Sequence, residues 1–132
     1  MKPNGTAPQK ILIVEDDYSL AELYRIKMEI MGYTPLSAYD GAHALELIEK
    51  EQPDLVLLDL MIPKISGDQV LKAMRISDWG KATKVLVISN IDESDAPEGL
   101  RSLGIEGYAL KANLSHDDLE NIIKAILDTT KK

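Results

Sequence analysis

Three stretches of this chain are apolar without interruption, and each stops at a polar residue. Ile11-Leu12-Ile13-Val14 ends in Glu15, Leu55-Val56-Leu57-Leu58 in Asp59, and Val85-Leu86-Val87-Ile88 in Ser89. A strand with one wet face alternates apolar and polar residues. A strand buried on both faces has no polar position to spare, and that is the situation in a parallel sheet covered by helices. Thr34 to Ala38 and Gly107 to Leu110 are weaker strand candidates suited to the two sheet edges, where Pro35 costs no ladder hydrogen bond.

Helical periodicity fills the intervals. Leu119, Ile122, Ile123, Ile126 and Leu127 recur at i, i+3, i+4, i+7 and i+8, with Ser115 placed as N-cap and Asp118 three residues on. Leu20, Leu23, Tyr24, Ile30 and Met31 mark a first helix that Gly32 stops, and one of the acids Glu15-Asp16-Asp17 is expected to cap its start. Leu45 with Ile48, and Val70 with Met74, mark two more. Between Ser94 and Leu103 the pattern is poorest, and a short helix with Pro97 in its first turn is the expectation. Strand followed by helix, five times over, predicts a five-stranded parallel sheet with helices on both faces.

Composition narrows the function. With 15 Lys and Arg against 22 Asp and Glu the formal net charge is −7, which argues against a nucleic-acid-binding surface. No cysteine is present, so disulfides, thiolate metal sites and thiol nucleophiles are excluded. The length of 132 residues suits one domain. Apolar runs of about four residues fall far short of the roughly 20 that span a bilayer, so no membrane contact is expected, and a cytoplasmic location is. Residues 1–9 read as a disordered leader, 10–128 as the domain and 129–132 as a tail, with no output domain after it.

In open parallel sheets, ligands bind beyond the carboxyl ends of the strands. There this sequence places Glu15, Asp16 and Asp17 after the first run, Asp59 after the third strand, Ser89 and Asn90 after the fourth, and Lys111 after the fifth. Carboxylates gathered from two strands repel one another unless a cation sits among them. An all-oxygen set with few protein ligands suits Mg²⁺, with Asp16 and Asp59 as direct ligands and Glu15 acting through a water. Lys111 and Ser89 complete a cradle for a doubly charged oxyanion, the arrangement that phosphoryl transfer to a carboxylate requires.

These segments resemble the receiver domain of two-component response regulators. The match is carried by Ile-Leu-Ile-Val-Glu-Asp-Asp (11 to 17), Leu-Val-Leu-Leu-Asp-Leu-Met-Ile-Pro-x-x-x-Gly (55 to 67), Val-Leu-Val-Ile-Ser (85 to 89) and Gly-Tyr-Ala-Leu-Lys (107 to 111). The resemblance implies a flavodoxin-like α/β fold, (βα)5, with strand order 2-1-3-4-5. It implies Asp59 as phosphoacceptor from a phosphohistidine on a sensor histidine kinase or histidine phosphotransfer protein, and Mg²⁺ (or Mn²⁺) held by Asp16, Asp59, the backbone carbonyl of Met61 and, in support, Glu15. Lys111 would contact the phosphoryl oxygens, and Ser89 and Tyr108 would reorient as the switch. Contacts with a downstream protein would then change on the face formed by the fourth helix, fifth strand and fifth helix. On this reading the chain is a signalling switch and not a turnover enzyme.

Two positions depart from the family pattern. Ala112 follows Lys111 where many receivers have proline in a cis peptide, and a trans bond is expected because a non-proline cis bond costs about 3 kcal/mol. Asn90 stands where a small residue is usual, and its larger side chain is expected to slow or reroute hydrolysis. His43 and His116 read as surface or helix-start residues, and Trp79 as the anchor of a polar loop. An aspartyl-nucleophile phosphohydrolase would need an acid/base two residues past Asp59, where Met61 stands. A phosphorylation-independent binding module would have no use for Asp16, Asp59, Ser89 and Lys111 together.

Overall fold

A computed structural model describes residues 8–128; the N-terminal leader and the tail expected at 129–132 lie, apart from Pro8 and Gln9, outside the described residues. The order is β1 (Lys10–Val14), α1 (Tyr18–Ile30), β2 (Thr34–Ala38), α2 (Gly41–Glu51), β3 (Leu55–Leu58), α3 (Gly67–Arg75), β4 (Lys84–Ser89), β5 (Gly107–Leu110) and α4 (His116–Leu127). All five strands are parallel, in the order β2-β1-β3-β4-β5. The two weak runs are the edge strands, with Pro35 in β2, as their composition required.

Each central strand is buried on both sides. Leu12, Val14, Val56, Leu58, Val85 and Val87 pack with α2 and α3, while Ile11, Ile13, Leu55, Leu57, Leu86 and Ile88 pack with α1 and α4. A fully buried side chain of this kind contributes roughly 1.5–3 kcal/mol, so the sheet holds the strand ends in fixed relation. The helices start where short polar side chains accept backbone N–H groups. Asp17 caps α1 through the Leu20 amide (3.2 Å) and Asp40 caps α2 through the His43 amide (2.8 Å). Ser115 and Asp118 form a reciprocal capping box on α4. Gly32, at φ +94°, takes the chain out of α1 in a conformation that few other residues adopt.

The helix expected between Ser94 and Leu103 does not form. Two single 3₁₀ turns, Glu93–Asp95 and Arg101–Leu103, stand in its place. Asp92 caps the first turn, but Ala96, preceding Pro97, is extended (ψ 162°), and Gly99 is left-handed at φ +89°. A proline forbids the helical conformation to its predecessor, and the glycine breaks the chain again two residues later, so no stretch long enough to nucleate a helix remains. Among the described residues the fold therefore has four α-helices, and this irregular crossover stands, next to β5 in the chain, where the fourth of five helices was expected.

Candidate functional site

Because the strands are parallel, their carboxyl ends lie along one edge, and Glu15, Asp59, Ser89 and Lys111 each follow or close a different one. Glu15 and Asp59 are 3% and 6% exposed, in spite of their charge. The Glu15 amide donates to the Ala38 carbonyl and the Asp59 amide to the Val14 carbonyl, each at 3.1 Å, which extends the ladders of β2 and β1 by one step and fixes the backbone under both acids. Lys111 Nζ donates to Glu15 Oε1 at 2.6 Å and to Asp59 Oδ2 at 3.0 Å. The second oxygen of each acid takes a backbone donor: Asp17 N–H to Glu15 Oε2 (3.0 Å) and Met61 N–H to Asp59 Oδ1 (3.1 Å).

Two glycines make the room for this. A Cβ on Gly67 would lie 2.4 Å from the Asp59 carbonyl oxygen, and one on Gly41 would lie 2.0 Å from that of Ile65. The loop after Asp59 is thus folded back against the start of α3, where Gly67 N–H donates to the Leu60 carbonyl (2.9 Å).

Burial sets the electrostatics. It pushes the Glu15 carboxyl above its usual range against the pull of Lys111 and the Asp17 amide. Burial would also depress Lys111, but its hydrogen bonds to Glu15 and Asp59 outweigh that and hold the ammonium above its usual value. Asp16, exposed, brings a third carboxylate, and oxygens of Glu15, Asp16 and Asp59 lie within 4.8 Å of one another. Three carboxylates against one ammonium leave the pocket at a formal −2, with carboxylate oxygens as its donors. That set suits a hard divalent cation. The Met61 side chain is 61% exposed, so only its backbone belongs to the pocket.

Ser89 is fully buried, and its hydroxyl accepts the Ile91 N–H at 3.1 Å. The Tyr108 hydroxyl donates to the carbonyl of the same Ile91 at 2.5 Å. Burial raises the Tyr108 phenol, opposed by the Ser89 hydroxyl. The two residues expected to act as the switch therefore hold one peptide segment between them. No sequence signal marked Ile91, since it takes part through backbone groups alone.

Tyr24, in sequence no more than a member of the α1 stripe, borders the space beneath Glu15 and Asp59 and feels the charge of Lys111. Outside, a groove of about 500 Å³ runs between α1 and the β5–α4 loop past Leu23, Asn90, Lys111 and Ala112. The Lys111–Ala112 bond is trans, as expected. His116 opens α4 at this groove, His43 is exposed on α2, and Trp79 packs on the core at the opposite edge of the sheet.

The chain matches the response regulator receiver domain family over residues 11–124. It is 33% identical over 119 residues to sporulation initiation phosphotransferase F of Bacillus subtilis (strain 168), covering 90% of this chain and 94% of that one. The receiver domain of Francisella response regulator 1452 superposes with a TM-score of 0.81 at 31% identity, covering 93% and 99% of the two chains. The receiver domain of sensor histidine kinase PA1611 from Pseudomonas aeruginosa PAO1, solved with magnesium in its active-site cleft, shares the fold at 22% identity and a TM-score of 0.78, covering 93% and 100%. Several other curated relatives are about twice as long, and the chain spans 47–50% of their length. Among the described residues no helix is long and apolar enough to cross a membrane. The strand order, the acid-lined edge with its lysine and the family match agree, and the chain belongs to the response regulator receiver domain family.

Proposed function

We propose that this receiver takes a phosphoryl group on Asp59 from a phosphohistidine of a partner kinase or phosphotransfer protein. An Asp59 carboxylate oxygen attacks phosphorus in line, the P–N bond breaks, and the imidazole leaves with its electron pair and takes up a proton. The product is an aspartyl phosphate. Mg²⁺, held by Asp16, Asp59 and the Met61 carbonyl with Glu15 acting through water, would neutralise the phosphoryl oxygens. Lys111 is already within reach of the acceptor and supplies the second positive charge. Ser89 and Tyr108 then change their hold on Ile91, and the face made by the crossover, β5 and α4 changes its affinity for a downstream protein.

The observation that carries this reading is the single ammonium of Lys111 shared between buried Glu15 and buried Asp59 at 2.6 and 3.0 Å. A binding module has no reason to bury three charges at a strand edge, since such groups cost several kcal/mol each to desolvate. A hydrolase would need a proton donor where the exposed Met61 side chain stands. The groove beside Lys111 continues into Leu23, Ile26 and Ile30, which leave α1 with an exposed apolar stripe (51%, 46% and 81%) against which a helix of the phosphodonor can pack.

The test is to incubate the protein with Mg²⁺ and a small acyl phosphate and weigh it intact. One added phosphoryl group is expected in the wild type, and none in Asp59→Asn or after chelation of the metal. Equal labelling of Asp59→Asn would sink the proposal.

A further inference from the structure

Arg75 is the last residue of α3, at the far edge of the sheet from Asp59. Its guanidinium is spent on backbone carbonyls of two separate loops. Nε donates to Leu103 at 2.6 Å and Nη2 to Gly104 at 2.7 Å, both at the end of the fourth crossover. Nη1 donates to Gly80 at 2.8 Å and, more weakly, to Lys81 at 3.4 Å, both in the loop between α3 and β4 that carries Trp79. A planar fork with five donors can hold two loops at once, which an ammonium cannot do.

The crossover between β4 and β5 is thus held at both ends and by different means. At its start Ile91 is gripped by Ser89 and Tyr108. At its end Leu100 is buried (4% exposed), Leu103 packs on the core, and Arg75 holds the carbonyls of Leu103 and Gly104. From Asp92 to Gly99 the chain is exposed except for Ala96 and is broken by Pro97 and the left-handed Gly99; it is joined to the second half by the exposed Glu93–Arg101 pair and, at its last residue, by the Gly99 carbonyl, which accepts the Leu103 N–H at 3.2 Å. Segments with few buried contacts open at low free energy and absorb displacement before their better-packed neighbours do.

We infer that Arg75 is the fixed end of the switch: a displacement that begins at Ile91 is taken up between Asp92 and Gly99 and stops at the guanidinium. The far half of the crossover and the Trp79 loop keep one position in both states. This rests on the reading of Asp59 as acceptor, and within the crossover it confines the signal-dependent part to the first half. Arg75 is a positioning residue, since it touches no reacting atom.

Amide hydrogen exchange on the full chain tests it, with Mg²⁺ alone and with Mg²⁺ plus beryllofluoride, in the wild type, Arg75→Ala and Arg75→Lys. With the analogue, wild-type exchange is expected to change at Ser89–Gly99 and to stay constant at Leu100–Gly104, with Trp79 emission unmoved. In both variants the change spreads past Leu100 and Trp79 responds. Without the analogue, Arg75→Ala is expected to speed exchange at Leu100–Gly104 and Gly80–Lys81 together, by about tenfold, and to leave Asp92–Asp95 as they were. A wild-type change at Leu100–Gly104 as large as that at Asp92–Asp95 overturns the inference. So does an Arg75→Ala protein that exchanges like the wild type. If beryllofluoride alters nothing even around Asp59 and Ser89, the acceptor reading fails, and the analogue-free comparison alone decides whether Arg75 couples the two loops. Arg75→Lys keeps the charge and stem, and it carries the same comparison should the alanine variant not fold.

Discussion

Two charged clusters in this molecule have nearly the same dimensions. Lys111 meets Glu15 and Asp59 at 2.6 and 3.0 Å, and Arg101 meets the two oxygens of Glu93 at 2.7 and 3.0 Å. Their surroundings differ entirely. The side chains of the first group are 14%, 3% and 7% exposed, those of the second 59% and 40%. Distance is therefore a poor guide to what a pair does. In the pocket, Glu15, Asp59 and Lys111 are largely shielded from water, each charge depends on its neighbour, and removing one member strands the rest. On the crossover, water replaces either partner at once. A receiver needs both conditions side by side: a constellation too costly to rearrange, and beside it a segment cheap enough to move.

The pocket half of this contrast is broken most severely through its backbone. Gly67→Ala would drive a Cβ to 2.4 Å from the Asp59 carbonyl oxygen and 2.6 Å from Leu60 Cα, and both are main-chain atoms that cannot swing aside. Urea denaturation should show a loss of about 3 kcal/mol or more, with Mg²⁺ binding weakened because Asp59 is displaced. A variant as stable as wild type would mean that the loop after Asp59 is soft, and the contrast with the crossover would lose its basis.

Lys111→Met comes next. It leaves Glu15 and Asp59 buried without their cation, at a cost of about 2 kcal/mol. The pH dependence carries the sign. Because the folded value of Lys111 is raised above 10.5, the stability it contributes is complete below that pH and disappears as pH rises through the raised value. At the acid end the pair dissolves as Glu15 takes its proton, above its ordinary 4.5 because burial has raised it. The stability difference between wild type and Lys111→Met, measured by denaturation across pH, should form a plateau through neutrality that closes on both sides. A difference that does not vary with pH would assign the loss to packing of the lysine stem.

How far the sequence could be read follows the same division. Where a fully apolar strand ends in an acid, the side chain type alone places it at the sheet edge, and Glu15, Asp59 and Lys111 came together as their positions required. Ser89 closes its strand, but its partner is not legible in the sequence, because the Ile91 amide it accepts from is a group every residue but proline carries. Arg75 was invisible for the same reason: its partners are carbonyls on loops 5 to 29 residues away. The fourth crossover misled for a different reason. Pro97 alone is compatible with the first turn of a helix, and only with Gly99 left-handed behind it does the run become too short.

The smallest effect is the most informative about the crossover. Glu93→Gln removes the charge from a bidentate, well-aligned pair while keeping the side chain's length. An exposed pair gains little Coulomb energy in water and must order two long side chains to collect it. Arg101 does hold the Glu93 carboxyl below its usual range, but on an exposed group that shift is not a store of stability. The denaturation midpoint should therefore be indistinguishable from wild type, at low salt and at high. If Glu93→Gln instead destabilised the protein as much as Lys111→Met, the first half of the crossover would be fastened as firmly as the pocket. A displacement starting at Ile91 would then have nowhere to be absorbed before it reached Arg75.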